Sequence, residues 1–460
     1  MLAATCTALL VWLIAVPLAG AGLSVRLGSG VREVGVLAVS LATVGAALAG
    51  WGLLAALERC TSRARPVWTT VAVIVLLLSL LGPLGGVTTA ARVSLAAMHV
   101  AVAAVLIIGL ARTARGRQPV ASRQWAALTL VVLAPVSAEL TFGAMPLHLV
   151  WLLLPLLVPM YGAGVLLIRE AVRRSGGGWP SLVLLGLAYE LVEDGIGLQA
   201  LSSPNLYNAA SWGPRVLGIN TTYWESQVGY HIVFSVLIPI MLTDILFPAH
   251  RDRPYLRRGG LVGVGVCAIL GVGLIRVAIP PVEDPGYQAP LPVLAGIVLA
   301  TLVLAVLALR VLPGRTPPPA PGGTAPRPAL AGVLAALATA GFLALLLPLG
   351  RPPQGPALGH GAGVLTQMAL AAAIAITVGL LLHRWSSSDG WDDRHRIWTA
   401  GGALVSHTAF GAAVLARTTF DRVGLIVLAL LVVVLLVLLG GRRGKPATGE
   451  EAAAASPARQ

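Results

Sequence analysis

The sequence predicts an all-α, polytopic integral membrane helical bundle of about fourteen transmembrane helices with both termini cytoplasmic, and three observations predict it. Hydrophobic residues make up 57% of the 460 and charged residues only 11%, against roughly a quarter charged in a soluble domain. The few charges cluster, and the stretches between them stay apolar for about 18–24 residues, enough to carry a helix across a hydrocarbon core roughly 30 Å thick. With the amino terminus placed inside, alternating loops put 24 of the 32 basic residues on the inner side and 8 on the outer. That is the positive-inside pattern, and it requires an even number of spans. The alternating ten-residue strands of a membrane barrel are absent, so backbone polar groups must be satisfied within helices.

Taken in order, the first span at 3–24 has no basic segment ahead of it. It reads as a retained helix rather than a signal peptide, although "PLAGAG" imitates a cleavage site. Spans at 35–57, 67–88 and 92–111 complete a four-span module over residues 1–112, followed by a basic cytoplasmic linker at 113–124. Six spans follow within 125–312, at 125–143, 147–168, 179–200, 228–247, 259–279 and 291–309. A Pro/Gly-rich segment at 313–328 cannot be helical and is expected to be a flexible or polyproline-like cytoplasmic loop. Four more spans, at 329–349, 361–382, 398–416 and 423–440, fill 329–440, and 441–460 is small, polar and expected to be a disordered cytoplasmic tail.

The net charge of +14 comes from 31 Arg and a single Lys, Lys445. These residues sit in short loops, where they orient spans and meet anionic headgroups of the cell membrane. No basic stripe interleaves with aromatics, so the partner expected is the lipid bilayer and not nucleic acid. A protein partner is not identifiable. Cys6, Cys60 and Cys267 are far apart and form neither a disulfide framework nor a paired metal spacing. No phosphate-cradling glycine loop, HExxH or GxSxG is present, which disfavours ATP-driven transport within this chain, zincin chemistry and serine-hydrolase chemistry. The sequence names no cofactor and no metal.

Three runs in the first module, "AGWGLLAALER", "VWTTVAVIVLLLSLLGPL" and "MHVAVAAVLI", resemble a family of small four-span actinobacterial membrane proteins of unknown function. The remainder is similar to a widespread, uncharacterised bacterial membrane-protein family. That resemblance rests on "PLLVPMYGAGVLLIREAVRRSGGGWPSLVLLGLAYELVEDGIGLQALSSPNLYN", "PIMLTDILFP" and "WDDRHRIWTAGGALVSHTAFGA". It implies an architecture and no mechanism.

Ionisable groups inside membrane helices are costly and mark functional sites. The seventh span, "WPSLVLLGLAYELVEDGIGLQAL", carries Glu190, Glu193, Asp194 and Gln199, and spacings of three and four put the three acids on one helical face. Three acids so close in a low dielectric cannot all be ionised without a cation nearby. By the expected topology Glu190 lies near mid-membrane, while Glu193, Asp194 and Glu139 lie in the outer half. His148 and His231 open their spans at the outer face, and an outer loop at 201–227 holds Asn205, Tyr207, Asn208, Tyr223, Trp224 and Glu225. The candidate site is therefore Glu139, His148, Glu190, Glu193, Asp194, Gln199 and His231, with those loop residues as contacts. His407 and His99 read as structural histidines, the cluster from Asp389 to His395 as a solvated loop with a helix cap, and Asp244 as an interfacial partner of Arg251 and Arg253.

Three functions compete. The first is binding or proton-coupled transport of a small molecule or lipid headgroup at the outer-half carboxylates; Gly195 and Gly197 could loosen that helix, but no inverted repeat is visible. The second is an intramembrane hydrolase, because Glu193 and Asp194 followed by His231 resemble the EExxxR-plus-histidine arrangement of the CAAX-processing proteases. Here the second acid is Asp and Leu198 stands where that motif has Arg. The third is a non-enzymatic scaffold or regulator.

Overall fold

The computed structural model describes residues 2–27, 30–60, 64–80, 82–113, 123–206, 213–313, 323–347 and 362–442. The chain divides into two compact units, Met1–Ser122 and Arg123–Gln460.

The first unit holds α1 (Leu2–Leu13), α2 (Val36–Cys60), α3 (Ala64–Ser79) and α4 (Thr89–Thr113). Small and aliphatic side chains of three of these helices meet in a core of Ala8, Val39, Ala91, Leu95 and Met98. The chain between α1 and α2 forms a short antiparallel hairpin, β1 (Ser24–Leu27) with β2 (Gly30–Glu33). The Trp12 indole ties α1 to it by donating to the Val34 carbonyl at 3.2 Å. His99 bonds locally, its Nδ1 donating to the Leu95 carbonyl at 2.7 Å.

The second unit is built from helices repeatedly interrupted by π turns. α5 (Arg123–Pro135) runs into a π turn at Val136–Leu140; α6 (Val150–Leu157) and α7 (Gly164–Ser175) are joined by one at Val158–Ala163. α8 (Trp179–Glu190) ends in Leu191–Gly197, and α9 (Thr221–Tyr230) continues through His231–Leu237 into α10 (Ile238–Leu246). Beyond a short hairpin, β3 (Arg215–Val216) with β4 (Ile219–Asn220), and these helices come α11 (Arg258–Ala278), α12 (Pro280–Glu283), α13 (Leu291–Val306), α14 (Pro328–Leu346), α15 (Ala362–Trp385), α16 (Asp393–Phe410) and α17 (Thr419–Arg442). Proline is one cause of the altered register. Pro135, Pro159 and Pro239 each lack the N–H that would close an i→i−4 bond, and each stands in or beside a π turn.

Most of each segment expected to span is helical over its described residues, but 3–24 leaves the helix after Leu18 and enters β1 at Ser24, and 67–88 leaves it after Gly85. Among the described residues, eight helices are long and apolar enough to cross a membrane. Three lie in the first unit, and five in the second: Thr221–Leu246, Arg258–Glu283, Leu291–Val311, Pro328–Leu346 and Gly363–Trp385. The helices that carry Glu139, Arg169, Glu193 and Asp393 are not among the eight. Bulky apolar side chains such as Ile269, Leu270, Leu299, Leu302 and Leu337 are exposed on the bare chain, the arrangement suited to lipid contact. Small residues permit the tightest crossing. A Cβ on Gly402 of α16 would collide with the Gly332 carbonyl of α14.

The start of α9, and with it the place of His231, also differs from expectation. Helix α9 starts at Thr221, capped by the Asn220 side chain accepting from the Tyr223 N–H at 2.9 Å, so Tyr223, Trp224 and Glu225 are helical and not in a loop. His231 then sits ten residues inside a 26-residue helix, about 15 Å from its start, instead of opening it. The physical reason is that "TTYWESQ" looks too polar for a membrane helix until its polar groups find partners inside the bundle. The expected loop at 313–328 and tail at 441–460 lie largely outside the described residues. The end of that loop is docked: the Ala325 N–H donates to the Asp389 carbonyl at 2.9 Å, and His395 Nε2 lies 2.8 Å from the Pro326 carbonyl.

At the α7–α8 end of this unit lies a buried charge cluster. Arg169, wholly buried, donates to Asp244 Oδ1 through Nη2 at 2.7 Å and Nε at 3.1 Å. It also donates to the carbonyls of His250, Arg251 and Arg253, and its guanidinium lies 3.4 Å from the Tyr255 ring centroid. Arg173 donates to the second Asp244 oxygen at 2.8 Å. Glu170 accepts from the Tyr255 and Leu256 N–H groups and from Arg174. Asp244 is thus paired with Arg169 and Arg173 and not with Arg251, which pairs with Asp393 at 2.9 Å. Asp392 forms a capping box with His395 at the start of α16, as its residue types suggest.

Candidate functional site

Four helices of the second unit bring acidic, imidazole and phenol groups together at their π turns. Glu139 lies in the first such turn, Tyr161 in the second, Glu193 and Asp194 in the third, and His231 opens the fourth. π turns are rare and recur at functional sites because they re-aim side chains and free backbone groups. Here all four are aimed at one place.

The centre is His231. Its Nδ1 lies 3.4 Å from Glu193 Oε2 and its Nε2 lies 3.3 Å from Asp194 Oδ2. All three side chains are at most 3% exposed. Ser235 Oγ lies 3.0 Å from the same Nδ1. Glu193 Oε2 approaches the ring without an aligned hydrogen bond, and Asp194 Oδ2 does so with a geometry too poor for a full one, so the carboxylates are held to the ring largely by charge. Asp194 Oδ1 does accept from the Tyr223 hydroxyl at 2.9 Å. One turn away, Glu190 Oε2 accepts from the Trp224 indole at 3.0 Å while Oε1 is without a partner. Glu139 Oε1 accepts from two phenols, Tyr161 at 2.6 Å and Tyr230 at 3.0 Å.

The tyrosines enclose the imidazole. The Tyr161, Tyr189 and Tyr230 rings stand 6.1, 5.9 and 4.8 Å from the His231 ring, and the Tyr189 hydroxyl is buried without a hydrogen-bond partner. Below Tyr230, His407 is stacked between Phe142 at 4.3 Å and Phe234 at 3.8 Å. Its Nδ1 lies 3.3 Å from the Thr141 hydroxyl, and its Nε2 is unbonded. This close approach depends on Gly411, where a Cβ would collide with the Phe142 carbonyl.

Of the residues singled out from sequence, the structure gathers Glu139, Glu190, Glu193, Asp194, His231, Tyr223 and Trp224 into this neighbourhood. Others go elsewhere. Gln199, held at a positive φ of 58°, accepts from the Ala289 N–H at 2.6 Å and pins the chain beyond α8. Asn205 donates to Asp284 at 3.0 Å, beside Ser203. Burial works against the charge on Asp284, but the hydrogen bonds from Asn205 and Ser203 outweigh it and hold the carboxyl below its ordinary range. Glu225 keeps one buried oxygen unbonded. Tyr207, Asn208 and the His148 side chain lie outside the described residues.

Sequence reading did not select Tyr161, Tyr189, Tyr230 or Ser235. The phenols look like ordinary interior aromatics until their hydroxyl partners are known; the signal available was a proline close by, as at Pro159 and Pro239. Among the described residues no group of three or more His, Cys, Asp or Glu side chains is disposed to hold a metal ion, and Cys6 and Cys267 are free thiols.

Apolar membrane-length helices around a buried acid–imidazole network define a multi-pass α-helical membrane protein. Residues 128–358, just over half of the chain, match an uncharacterized membrane protein family, and the chain belongs to that family. Residues 1–116 match a family of unknown function, DUF6069. No curated protein and no solved structure matches the chain.

Proposed function

We propose that the second unit is a proton-coupled binding or transport unit for a small molecule, with Glu193, His231 and Asp194 as its proton-exchanging centre. One observation carries the reading: a histidine sits between two carboxylates in the middle of apolar helices, and both facing oxygens lack a directed hydrogen bond. Such a trio gains or loses a proton without rearranging a bonded network, and each change alters the net charge of a buried site. The altered charge must be answered by a counter-ion or by movement of the helices. Glu139, with its two phenols, offers a second acceptor for the same proton.

Supporting features for placement are the arginine asymmetry of the sequence and the eight membrane-length apolar helices among the described residues. On that reading the chain crosses the cell membrane fourteen times with both termini cytoplasmic, and the α8–α9 end of the second unit faces outward. The hydrolase alternative gains less support. Both ring nitrogens of His231 face carboxylates, so none of the three is poised as a ligand set for a metal-bound water.

The test is proton counting. Purified full-length protein is titrated between about pH 8 and 5 with an indicator dye, beside a Glu193→Gln/His231→Asn variant that elutes and melts like the parent. The parent takes up about one proton more per chain than the variant. Equal uptake removes the proton-exchanging centre and with it the proposal.

A further inference from the structure

The network is short of positive charge. Glu193 and Asp194 face the His231 imidazole, Glu139 and Glu190 are bonded beside it to phenol and indole groups, and among the described residues no Lys or Arg side chain bonds to any of the four. Arg276, on the neighbouring α11, is committed to the Ile196 carbonyl at 2.6 Å and to Gln288 at 2.8 Å. Arg215, on the loop covering this end, donates to the carbonyls of Ser202, Ser203 and Gly218. His407 is stacked between two phenylalanines and bonded to Thr141. The contrast with the Arg169 cluster, where each acid meets a guanidinium, shows that this fold can supply arginines to buried acids where it uses them.

The walls are aromatic. Tyr161, Tyr189 and Tyr230 surround the imidazole, and Tyr223 and Trp224 bond the acids from α9. Four oxygens remain without hydrogen bonds on side chains more than nine-tenths buried: Glu190 Oε1, Glu193 Oε2, Asp194 Oδ2 and the Tyr189 hydroxyl. Surplus carboxylate inside an aromatic enclosure is the chemistry that recognises a diffuse organic cation, through charge and cation–π attraction together. A compact metal ion instead needs converging ligands, which are not arranged here.

We infer that the ligand of this site is an organic cation of the ammonium class, bound in exchange for protons. The inference rests on the proton-exchange reading above. A cation replaces a proton on the Glu193–His231–Asp194 centre, so charge balances and the site is never left with its full negative surplus.

The experiment measures saturable binding of radiolabelled tetraphenylphosphonium to purified full-length protein, together with proton uptake on the same preparation. Binding is expected to weaken on acidification, by up to about tenfold per pH unit for one-proton exchange. Choline is expected to compete, and its uncharged isostere 3,3-dimethylbutan-1-ol is not. An Asp194→Asn/Glu190→Gln variant is expected to bind at least tenfold more weakly. Equal competition by the neutral isostere overturns the inference without needing any variant, as does undiminished binding by the double variant. Absence of saturable binding in protein that still exchanges its proton overturns the cation alone. Loss of both overturns the proton-exchange reading beneath it.

Discussion

The second unit buries two groups of charges, and they are built on opposite principles. Around Arg169, the Asp244 carboxylate meets two guanidiniums and the Tyr255 hydroxyl, the Arg169 guanidinium meets carboxylate, three carbonyls and an aromatic face, and Glu170 accepts from two N–H groups. Around His231, two acids share one imidazole with two more beside them, and four oxygens find no aligned hydrogen bond. A satisfied buried network holds a structure in one state; a half-satisfied one of the same size costs stability and persists where its charge changes are used. The first cluster fastens the α7–α8 end and the 247–257 segment. The second is the centre proposed here to exchange protons.

The largest expected effects break that comparison from the satisfied side. Arg169→Ala or Asp244→Ala leaves a buried charge alone and costs about 3–5 kcal/mol, read as a loss of folded protein in thermal or denaturant unfolding. Arg169→Met/Asp244→Leu together recovers much of it. Glu193→Gln, by contrast, removes one of several like charges and is expected to cost less than about 1 kcal/mol or to stabilise. If Glu193→Gln destabilises as much as Asp244→Ala, the two clusters do not differ in kind.

A finer comparison lies within the tyrosines. Tyr161→Phe deletes a 2.6 Å bond to Glu139 and is expected to cost about 1.5–3 kcal/mol if that acid is charged. Tyr189→Phe deletes a hydroxyl without a partner and leaves unfolding almost unchanged. A reversed order would show that the Tyr189 hydroxyl is bonded in solution.

The smallest effects fall at the loops. Asp392→Ala removes the cap of α16, where the carboxylate accepts from the Arg394 and His395 N–H groups, at about 0.5–2 kcal/mol. Burial raises the cost of its charge, but the bonds from His395 and Arg394 prevail and lower its pKa. Asp284 is lowered in the same sense by Asn205 and Ser203. A carboxyl with a lowered pKa stabilises at pH values above its ordinary range, near 3.9, and that stabilisation is lost as pH falls through the lowered folded value. Amide exchange at Asn205 and Leu206, corrected for intrinsic rates, should therefore stay slow down to about pH 4 and accelerate only below it. Acceleration already near pH 6 would assign the loop's anchoring to other groups.

Much of the fold was legible because hydropathy reports apolar helices directly: the chain is all-α over most of its described residues, although the first expected span ends early, at Leu18, and gives way to the β1–β2 hairpin. The acids on one face of α8 were legible from their spacing, and so was the Asp392 cap. The depth of His231 was not. The run from Thr221 to Gln227 is polar, and a reading by hydropathy assigns polar residues to water, whereas here Tyr223 and Trp224 turn inward to Asp194 and Glu190. Asp244 was misassigned for a related reason: Arg251 and Arg253 are near in sequence, while Arg169 reaches it from another helix. The π turns escaped notice because their cause, a proline or a side chain re-aimed toward a partner, has no periodic signature.

The most direct test of the account is infrared titration of the buried carboxyls in the full-length protein. A protonated carboxylic acid gives a carbonyl stretching band that shifts on exchange into D₂O. The account predicts such a band that grows on acidification, is lost or displaced in Glu193→Gln or Asp194→Asn, and is unaltered by Glu283→Gln on the short helix α12. A parent protein with no titrating band, or a band indifferent to both substitutions at the site, would contradict it.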